Sequence, residues 1–351
     1  MKSRTIEEIH SLPVSEVIGN YMILKKAGSN YLGSCPFHTE KSPSFTVSNA
    51  KDIFTCYGCG KSGDAIQFVM DFKHKDFKEA VREICNTHKI EYTLKSDDTD
   101  ESANERKLKD SLYIMNKIAA DFFRENLKAD KNAMDYLVNK RHLTEETIEH
   151  WSLGYAHSGW DGLLKHLKDK GYTDELLRIS GLVHYNDEKK KVYDYFRDRI
   201  MIPIHNVRDK AIGFSGRALI DKPKDADPAK KYPPKYLNTP ETAIYIKGNE
   251  LFGLNKASEH IQSADKVIFV EGNLDVISGS QANIKNIVCT SGKWISEAQM
   301  KLIQKFTNNV SIIPDLDAIK ECYSNAEELL KFGFNVEVLK LDKKDLDEWL
   351  R

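Results

Sequence analysis

Several features that would assign this chain to a common class are absent from it. The 351-residue sequence has no apolar run of about 18 residues, the length that a membrane-spanning helix requires. Its first residues, MKSRTIEEIHSLPV, alternate charged with isolated apolar residues and lack the apolar core of a signal peptide. With only six cysteines, the chain is not a disulfide scaffold. We therefore expect reduced thiols, a cytoplasmic location and no membrane partner.

Net charge is nearly absent as well. The charge at neutral pH is −1, so nucleic-acid affinity would have to come from local basic patches rather than from bulk charge. There is no internal repeat, no low-complexity tract and no Gly-x-x-x-x-Gly-Lys-Ser/Thr loop, which excludes a P-loop helicase module within these residues. The length exceeds that of one ordinary hydrophobic core and predicts two or three domains.

The residue pattern divides the chain into four segments. Residues 1–93 show helical spacing around a Cys/His region, and residues 94–107 (LKSDDTDESANERK) are polar and charge-dense, which predicts a flexible linker. Residues 108–258 begin as helix and continue as mixed α/β sequence. In residues 259–351, the apolar runs KVIFV, NIVCT, NVSIIP and NVEVLKL alternate with helical stretches, which predicts a parallel sheet flanked by helices. The predicted fold class is multidomain α/β, α+β overall.

The first segment contains a Cys-x-x-His pair followed by a Cys-x-x-Cys pair. The two-residue spacings let both ligands of a pair reach one ion, and the strands PSFTVS and IFTCY between the pairs alternate like a β-hairpin. Four soft ligands predict a closed, structural zinc site, formed by Cys35, His38, Cys56 and Cys59. The alternatives are coincidence and a redox Cys-x-x-Cys pair, which would leave His38 unexplained. The other cysteines have no paired partner and are interpreted as structural: Cys85, Cys289 and Cys322.

Basic and aromatic residues alternate around the predicted hairpin. Aromatic faces that stack bases beside cations that meet phosphates are typical of single-strand binding. Phe45 and Phe54 can alternatively form the core of the hairpin. The prediction of nucleic-acid contact therefore concerns mainly Lys41, Lys51, Tyr57 and Lys61.

Carboxylates follow three of the four predicted parallel strands. The carboxyl ends of such strands share one edge, where sites form, and many carboxylates cannot crowd together ionised without cations. Oxygen ligands favour Mg²⁺ or Mn²⁺, and the expected chemistry is metal-assisted phosphoryl transfer. The alternative is a set of solvated loop acids. The residues, in chain order, are Glu271, Asp275, Asp315, Asp317, Asp345 and Asp347.

Together these motifs resemble the bacterial DnaG-type DNA primases, in the same order along essentially the whole chain. YLGSCPFHTEKSPSFTV and CYGCGKSGDAIQFVM resemble the zinc-binding domain of that family. VEGNLDVI and PDLD resemble the glutamate and Asp-x-Asp motifs of a Toprim domain. YFRDRIMIPIHNVRDKAIGFSGRAL and KYLNTPETAIYIKGNELFGL are similar to segments of the primase polymerase core. The resemblance implies a zinc-binding domain at 1–93, the N-terminal subdomain of that core at 108–258 and a Toprim domain at 259–351.

The resemblance also implies roles for individual residues. Glu271, Asp315 and Asp317 match the principal catalytic and metal-binding acids, and the other three carboxylates match additional acids. Seven residues match basic cleft-lining motifs that contact DNA or nucleotide: Arg141, Arg197, Arg199, Arg217, Lys235, Asn238 and Lys247. Salt bridging is the alternative for Arg197, Arg199 and Arg217, and capping of a turn is the alternative for Asn238.

The implied activity is DNA-directed synthesis of short RNA primers. The substrates would be ribonucleoside triphosphates on a single-stranded DNA template, with one structural Zn²⁺ and catalytic Mg²⁺ or Mn²⁺. A topoisomerase-like or nuclease-like Toprim enzyme is an alternative, although no segment remains for a tyrosine-bearing domain. A protein that binds single-stranded DNA without catalysis is another.

The sequence departs from the family pattern in three places. No glycine follows Asp317 in DLDAIKE, and Leu346 replaces a common proline in the third acidic motif. The sequence ends at Arg351, before the helical bundle and helicase-binding domain of the family. The replicative helicase is thus a partner expected from the family, but its docking domain is not among these residues.

Overall fold

The computed structural model describes most of the chain, namely residues 3–40, 42–73, 75–90, 100–186, 188, 191–219 and 232–351. The chain divides into two compact units, Met1–Glu105 and Arg106–Arg351. None of the described helices is long and apolar enough to cross a membrane.

The described residues of the first unit up to residue 90 form four helices and a five-stranded antiparallel sheet of order β1-β2-β3-β4-β5. All four helices contribute apolar side chains to a core that they share with β3 and β4. The helices are α1 (Ser3–His10), α2 (Val14–Gly19), α3 (Ala65–Lys73) and α4 (Phe77–His88). The strands are β1 (Lys25–Ala27), β2 (Asn30–Gly33), β3 (Phe45–Ser48), β4 (Ile53–Cys56) and β5 (Ser62–Gly63).

The predicted hairpin is confirmed as β3 and β4. The strands pair in antiparallel register with Phe45 opposite Cys56 and Val47 opposite Phe54. Phe45, Val47 and Phe54 are fully buried, so the alternative interpretation of the two phenylalanines as core residues is correct. Because a one-residue slip would move all these side chains to solvent, the buried face fixes the register and with it the position of Cys56.

The second unit begins with helices around an antiparallel sheet of order β11-β10-β9-β6, and β7 and β8 form a separate hairpin. The helices are α5 (Asp100–Ala129), α6 (Lys131–Asp135), α7 (Glu145–His150), α8 (Gly162–Asp169) and α9 (Asp174–Ile179), with a π-helical turn at Tyr136–Lys140. The strands are β6 (Gly154–Ala156), β7 (Val183–Asn186), β8 (Lys191–Asp194), β9 (Arg199–His205), β10 (Ala211–Ala218) and β11 (Tyr236–Asn238).

Helix α5 corrects part of the linker prediction. It starts at Asp100 and so includes residues 100–107, which the sequence pattern assigns to a flexible segment. Glu, Arg and Lys have good helix propensity, so the polar composition here is compatible with a helix. Residues 94–99, the rest of the predicted linker, lie outside the described residues.

The last part of the second unit confirms the predicted parallel sheet. All four strands run parallel in the order β13-β12-β14-β15. The strands are β12 (Val267–Val270), β13 (Ile287–Cys289), β14 (Asn309–Ile312) and β15 (Asn335–Val338). The helices are α10 (Leu254–Ala264), α11 (Asn273–Gln281), α12 (Glu297–Gln304), α13 (Ile319–Lys331) and α14 (Leu346–Leu350), and a 3-10 turn covers Lys247–Asn249.

The strand order creates a crevice at the carboxyl ends of β12 and β14. Apolar residues of α11 and α14 belong to one core cluster, whereas those of α10, α12 and α13 belong to another. Val270 contributes to the first cluster and its neighbour Phe269 to the second, so the two clusters lie on opposite faces of the sheet. The chain therefore leaves β12 and β14 toward opposite faces, and such a switch point is where ligands bind in open α/β sheets.

Candidate active site and metal centre

The four predicted zinc ligands come together in the first unit. Their ligand atoms all lie within 4.8 Å of one another. The Sγ atoms of Cys35 and Cys59 are 3.8 Å apart, and the Sγ atom of Cys56 lies 3.8 Å from Nδ1 of His38. β4 ends at Cys56, and the turn after it returns Cys59 toward the segment that follows β2.

This spacing fits a tetrahedral zinc ion. Two sulfurs that bind zinc at about 2.3 Å at the tetrahedral angle lie about 3.8 Å apart, and a sulfur and an imidazole nitrogen lie about 3.6 Å apart. Burial, with added contributions from the neighbouring thiols, raises the pKa of Cys35. Burial also acts to raise the pKa of Cys56, but hydrogen bonds from Ser44 and from the Cys59 N–H outweigh it and lower that pKa. A bound cation would stabilise the thiolate form of both residues.

Of the four residues predicted to contact nucleic acid in the first unit, three are among the described residues. Tyr57, next to the cluster, is 78% exposed, and Lys51 is exposed in the turn between β3 and β4. The Nζ atom of Lys61 lies 4.5 Å from the centroid of the Phe37 ring. Lys41 lies outside the described residues. Tyr57 and Lys51 are thus available at the surface, and their role stays a prediction.

In the second unit, the crevice gathers five of the six predicted acids in one cleft of about 250 Å³. Glu271 follows β12, Asp315 follows β14, and Asp345 caps α14 by accepting a hydrogen bond from the Glu348 N–H. Asp317 lines a contiguous cleft of about 290 Å³, which shares Glu271 and Asp315 with the first. The acids that follow three separate strands therefore meet at one edge of the sheet.

The electrostatics of the crevice favour a bound cation. Burial, followed by the nearby carboxylates Asp275 and Glu271, raises the pKa of Asp315 to about 8. Burial also raises the pKa of Glu271, and Asp317 adds to the increase although Glu271 accepts a hydrogen bond from the Asp315 N–H at 3.2 Å. Carboxylates that resist ionisation because of one another become ionised when a cation lies between them. The donor set, composed of oxygens, fits Mg²⁺ or Mn²⁺.

Asp275 and Asp347 are engaged in a different way. Asp275 accepts hydrogen bonds from the Gly272 N–H at 3.1 Å and from the Asp347 N–H at 2.8 Å, and burial raises its pKa to about 7. The Asp347 carboxylate pairs with Arg141 at 2.7 Å and accepts a hydrogen bond from Ser278 at 2.6 Å. In this structure the oxygens of both residues are occupied by protein donors. Through these hydrogen bonds, Asp275 connects the backbone that follows Glu271 to the start of α14.

Comparison with known proteins gives the same assignment for each region. Three family models match: "CHC2 zinc finger" over residues 1–100, "DNA primase catalytic core, N-terminal domain" over 122–258, and "Toprim-like" over 268–350. The Aquifex aeolicus primase structure, with zinc-binding and RNA polymerase domains, is 32% identical with a TM-score of 0.61, and the match covers 100% of this chain and 82% of that one. The chain belongs to the DnaG-type DNA primase family. The predicted resemblance is confirmed.

Two further relatives define the extent of the likeness. The DNA primase of Clostridium acetobutylicum is 37% identical, and the match covers 96% of this chain and 54% of that protein. A DnaG primase catalytic domain bound to single-stranded DNA is 31% identical with a TM-score of 0.60, over 71% of this chain and 78% of that one. The chain spans about half the length of the curated relatives it matches. The zinc-finger match and the Cys₃His cluster together support Zn²⁺ as the ion of the first unit.

Within this DnaG-type fold, part of the predicted basic set lines the acidic cleft. Arg141, Lys235 and Asn238 line it together with the carboxylates. Arg141 donates to the hydroxyl oxygen of Tyr136 through Nε and a terminal nitrogen, at 2.9 and 2.8 Å. Burial opposes the charge of Arg141, but Tyr136 and Asp347 outweigh burial and raise its pKa. Basic groups and carboxylates thus line one cleft. Guanidinium and ammonium groups of this kind commonly bind phosphate oxygens.

Lys247 approaches the same cleft from the 3-10 turn. The Nζ atom of Lys247 lies close to Gly292, a residue that lines both clefts. It is 3.5 Å from the position that a Cβ atom on Gly292 would occupy. The buried side chain of Gln299, on α12, holds the turn because its Nε2 donates to the carbonyl of Glu250 at 2.7 Å and to that of Lys247 at 3.5 Å. The position of Lys247 therefore depends on the start of α12.

The three remaining arginines lie elsewhere. Arg199 and Arg217 are 4% and 1% exposed and donate to the backbone carbonyls of Gly216 and Ala218, so in this structure they do not line the surface of the cleft. The guanidinium of Arg197 lies 3.6 Å from the ring centroid of Trp160, a cation–π contact rather than the salt bridge considered from the sequence.

Lys293 is not among the residues predicted from the sequence, yet it lines both clefts beside Glu271 and Asp315. It follows β13, which, of the four parallel strands in the described residues, is the one that none of the six predicted acids follows. Its position could have indicated this. Lys293 lies in TSGKW, just after a parallel strand, and residues that follow parallel strands lie at the edge of the sheet where the acids are.

Proposed function

We propose that the second unit is the polymerase module of a DnaG-type primase and that it joins ribonucleotides on a single-stranded DNA template. The observation that carries the proposal is the cleft in which carboxylates from three strands meet Arg141 and Lys235. The structure of a relative bound to single-stranded DNA supports the choice of template. No other part of the described chain combines as many acids and bases at a switch point.

Glu271, Asp315, Asp317 and Asp345 are the residues that would hold the divalent cations. When bound, Mg²⁺ or Mn²⁺ would polarise the attacking hydroxyl and neutralise the triphosphate. Asp275 and Asp347 would position these acids, since their own oxygens already accept hydrogen bonds from protein donors. This division assigns metal binding to four of the six acids that the sequence indicated.

The reaction is a nucleotidyl transfer. The 3′-hydroxyl oxygen of one nucleotide attacks the α-phosphorus of the next, a phosphodiester bond forms, the α–β anhydride bond breaks, and pyrophosphate leaves while the hydroxyl proton passes to water. Lys293, which lines the cleft, and Lys247, which lies close to Gly292 of the cleft wall, would bind the triphosphate. Arg141, Lys235 and Asn238, which line the same cleft, would contact the template backbone.

The first unit would contribute to template binding through Lys51, Tyr57 and Lys61. Its zinc would be structural, because four protein ligands leave no open coordination position for chemistry. The ion would hold the sheet that carries Tyr57, the most exposed aromatic side chain beside the cluster.

A primer assay tests the proposed activity. The full chain, incubated with a single-stranded template, ribonucleoside triphosphates and Mg²⁺ or Mn²⁺, is expected to make short RNA. Glu271→Gln and Asp315→Asn should each abolish the product while fluorescence anisotropy shows retained binding of the template. Asp342→Asn is the matched control, because this exposed acid lies near α14 but lines neither cleft. Template binding without product from the unaltered chain would favour a binding protein over an enzyme.

Metal analysis tests the zinc site separately. We expect about one tightly bound zinc per chain, lost in Cys56→Ser and retained in Cys85→Ser, where a buried cysteine outside the cluster is changed. Zinc retention in Cys56→Ser would contradict the assignment of Cys56 as a ligand.

A further inference from the structure

A carboxylate that belongs to none of the predicted sites lies partly buried beside the Cys/His cluster. The side chain of Glu40 is only 9% exposed. A carboxylate so little exposed is expected to have hydrogen-bonding partners in the protein. The contacts of Glu40 therefore indicate what its carboxylate does.

Each oxygen of Glu40 has a separate set of contacts. Oε1 accepts hydrogen bonds from the Cys35 N–H at 2.6 Å and from the Ser44 N–H at 3.0 Å. Oε2 accepts a hydrogen bond from the Ser44 hydroxyl and lies 3.4 Å from Nε2 of His38. All four contacts are with residues in the segment that contains the Cys-x-x-His pair and the start of β3.

Two of these contacts continue to further zinc ligands. His38 directs Nδ1 toward the Cys56 sulfur at 3.8 Å, so Nδ1 would be its ligand atom, and Nε2 faces Glu40. The Ser44 hydroxyl lies 3.2 Å from the Cys56 sulfur. Glu40 thus connects to Cys35 through the backbone, to His38 through the ring, and to Cys56 through Ser44.

We propose that Glu40 is the positioning carboxylate of the zinc site. Its Oε2, 3.4 Å from Nε2 of His38, is placed to accept a hydrogen bond from an Nε2–H, which would leave the Nδ1 lone pair free for the ion. Its other contacts orient Cys35 and Ser44 at the same time. Carboxylates that fix a metal-binding histidine in this way raise the basicity of the ligand and increase metal affinity roughly 10–100-fold. Gly58 packs closely against the His38 ring. A Cβ atom at this position would lie 2.5 Å from Nε2, which is too close for any residue other than glycine.

A purely local role is the competing interpretation. Glu40 could simply stabilise the turn to Ser44 by accepting its N–H, without effect on the ion. Glu40→Gln separates the two roles. Glutamine retains an oxygen for the N–H groups of Cys35 and Ser44, but its amide nitrogen, a donor, would face the Nε2–H of His38, also a donor.

The first measurement is the zinc dissociation constant of the full-length protein, obtained by competition with a chromophoric zinc chelator. We expect Glu40→Gln to raise the constant roughly 10–100-fold. Ser44→Ala, which breaks only the link to Cys56, should raise it less. The matched control is Glu83→Gln on α4, because this partly buried acid contacts Tyr21 and Lys75 and none of the cluster. Wild-type affinity in Glu40→Gln, or an equal loss in Glu83→Gln, would overturn the proposal.

The second measurement is the His38 Nε2–H proton in nuclear magnetic resonance spectra of the zinc-loaded protein. A hydrogen bond to Glu40 predicts a downfield, slowly exchanging proton in the unaltered chain that exchanges rapidly in Glu40→Gln. A role restricted to the turn would leave this proton unchanged. Ser44→Ala, which leaves the His38 contact in place, should retain the slow proton even if Glu40→Gln folds poorly. A fast-exchanging proton in both the unaltered chain and Ser44→Ala would overturn the proposal.

Discussion

The pair formed by Arg141 and Asp347 allows a quantitative prediction about the stability of the second unit. The side chains are 12% and 3% exposed, and a terminal nitrogen of Arg141 lies 2.7 Å from the Asp347 carboxylate. Removal of one member of a buried pair typically costs roughly 3–5 kcal/mol, because the other charge remains buried without its partner. Arg351 also lies 3.2 Å from Asp347 and can compensate in part. We therefore expect Arg141→Met to cost about 3 kcal/mol, the low end of this range.

Urea unfolding followed by tryptophan fluorescence measures this cost specifically. All four tryptophans, Trp151, Trp160, Trp294 and Trp349, belong to the second unit, so the signal does not report on the first. With an m-value of roughly 2–3 kcal/mol per molar urea, a loss of about 3 kcal/mol moves the midpoint down by about 1–1.5 M. Lys301→Met is the matched control. Its exposed pair with Glu297 on α12 should contribute no more than about 1 kcal/mol.

A double-mutant cycle with Asp347→Asn isolates the pair itself. If the two charges interact directly, the double variant should be more stable than the sum of the single losses predicts, by about 1 kcal/mol or more. A cost of Arg141→Met no larger than that of Lys301→Met, or additive losses in the cycle, would contradict a direct interaction between the two charges.

Two further predictions concern the carboxylate of Asp315 and the glycine Gly58 beside the Cys/His cluster. The pKa of Asp315 is raised from 3.8 to about 8, so the stability that this proton confers is fully present below about pH 4 and is lost as the pH rises to 8. Without added divalent cations, Asp315→Asn should therefore flatten the fall in urea stability between about pH 5 and pH 8, and equal slopes in both proteins would contradict the raised pKa. Gly58→Ala places a Cβ 2.5 Å from Nε2 of His38 and should weaken zinc binding in the chelator competition, whereas Gly19→Ala, with nothing within 4 Å, should not.

The elements that the sequence predicted correctly share a local signal. The apolar runs KVIFV and NVSIIP, which alternate with helical stretches along the chain, indicate parallel strands. Because parallel strands end at one edge of the sheet, this pattern also predicts that Glu271 and Asp315 lie together. The two-residue spacing of Cys35 with His38, and of Cys56 with Cys59, is also a local signal, and it predicts that both members of each pair can reach one ion.

The features that the sequence did not predict depend on contacts between distant residues. Arg141 and Asp347 are 206 positions apart, and nothing near either residue indicates that the two charges pair. The same holds for Asp275, whose carboxylate accepts the N–H of Asp347. A motif shows that an acid is present, but only the fold shows whether its oxygens face the cleft or a backbone donor.

Burial also separates residues that look alike in a motif. Arg197 and Arg199 are two positions apart in YFRDR, yet Arg197 stacks on Trp160 while Arg199 begins β9 and is buried against Gly216. Composition could not distinguish the two, because the surface that each one meets is formed by other segments of the chain.

The contact between Gln299 and the turn that carries Lys247 has a consequence for binding entropy. The buried side-chain amide of Gln299, in the first turn of α12, donates hydrogen bonds to the carbonyls of Lys247 and Glu250. The order of the backbone at Lys247 therefore depends on the order of the N-terminal end of α12. Fraying of α12 would leave Lys247 with more conformations to lose when it meets a phosphate. A substitution that loosens the helix end could thus weaken nucleotide binding without altering a single charge in the cleft.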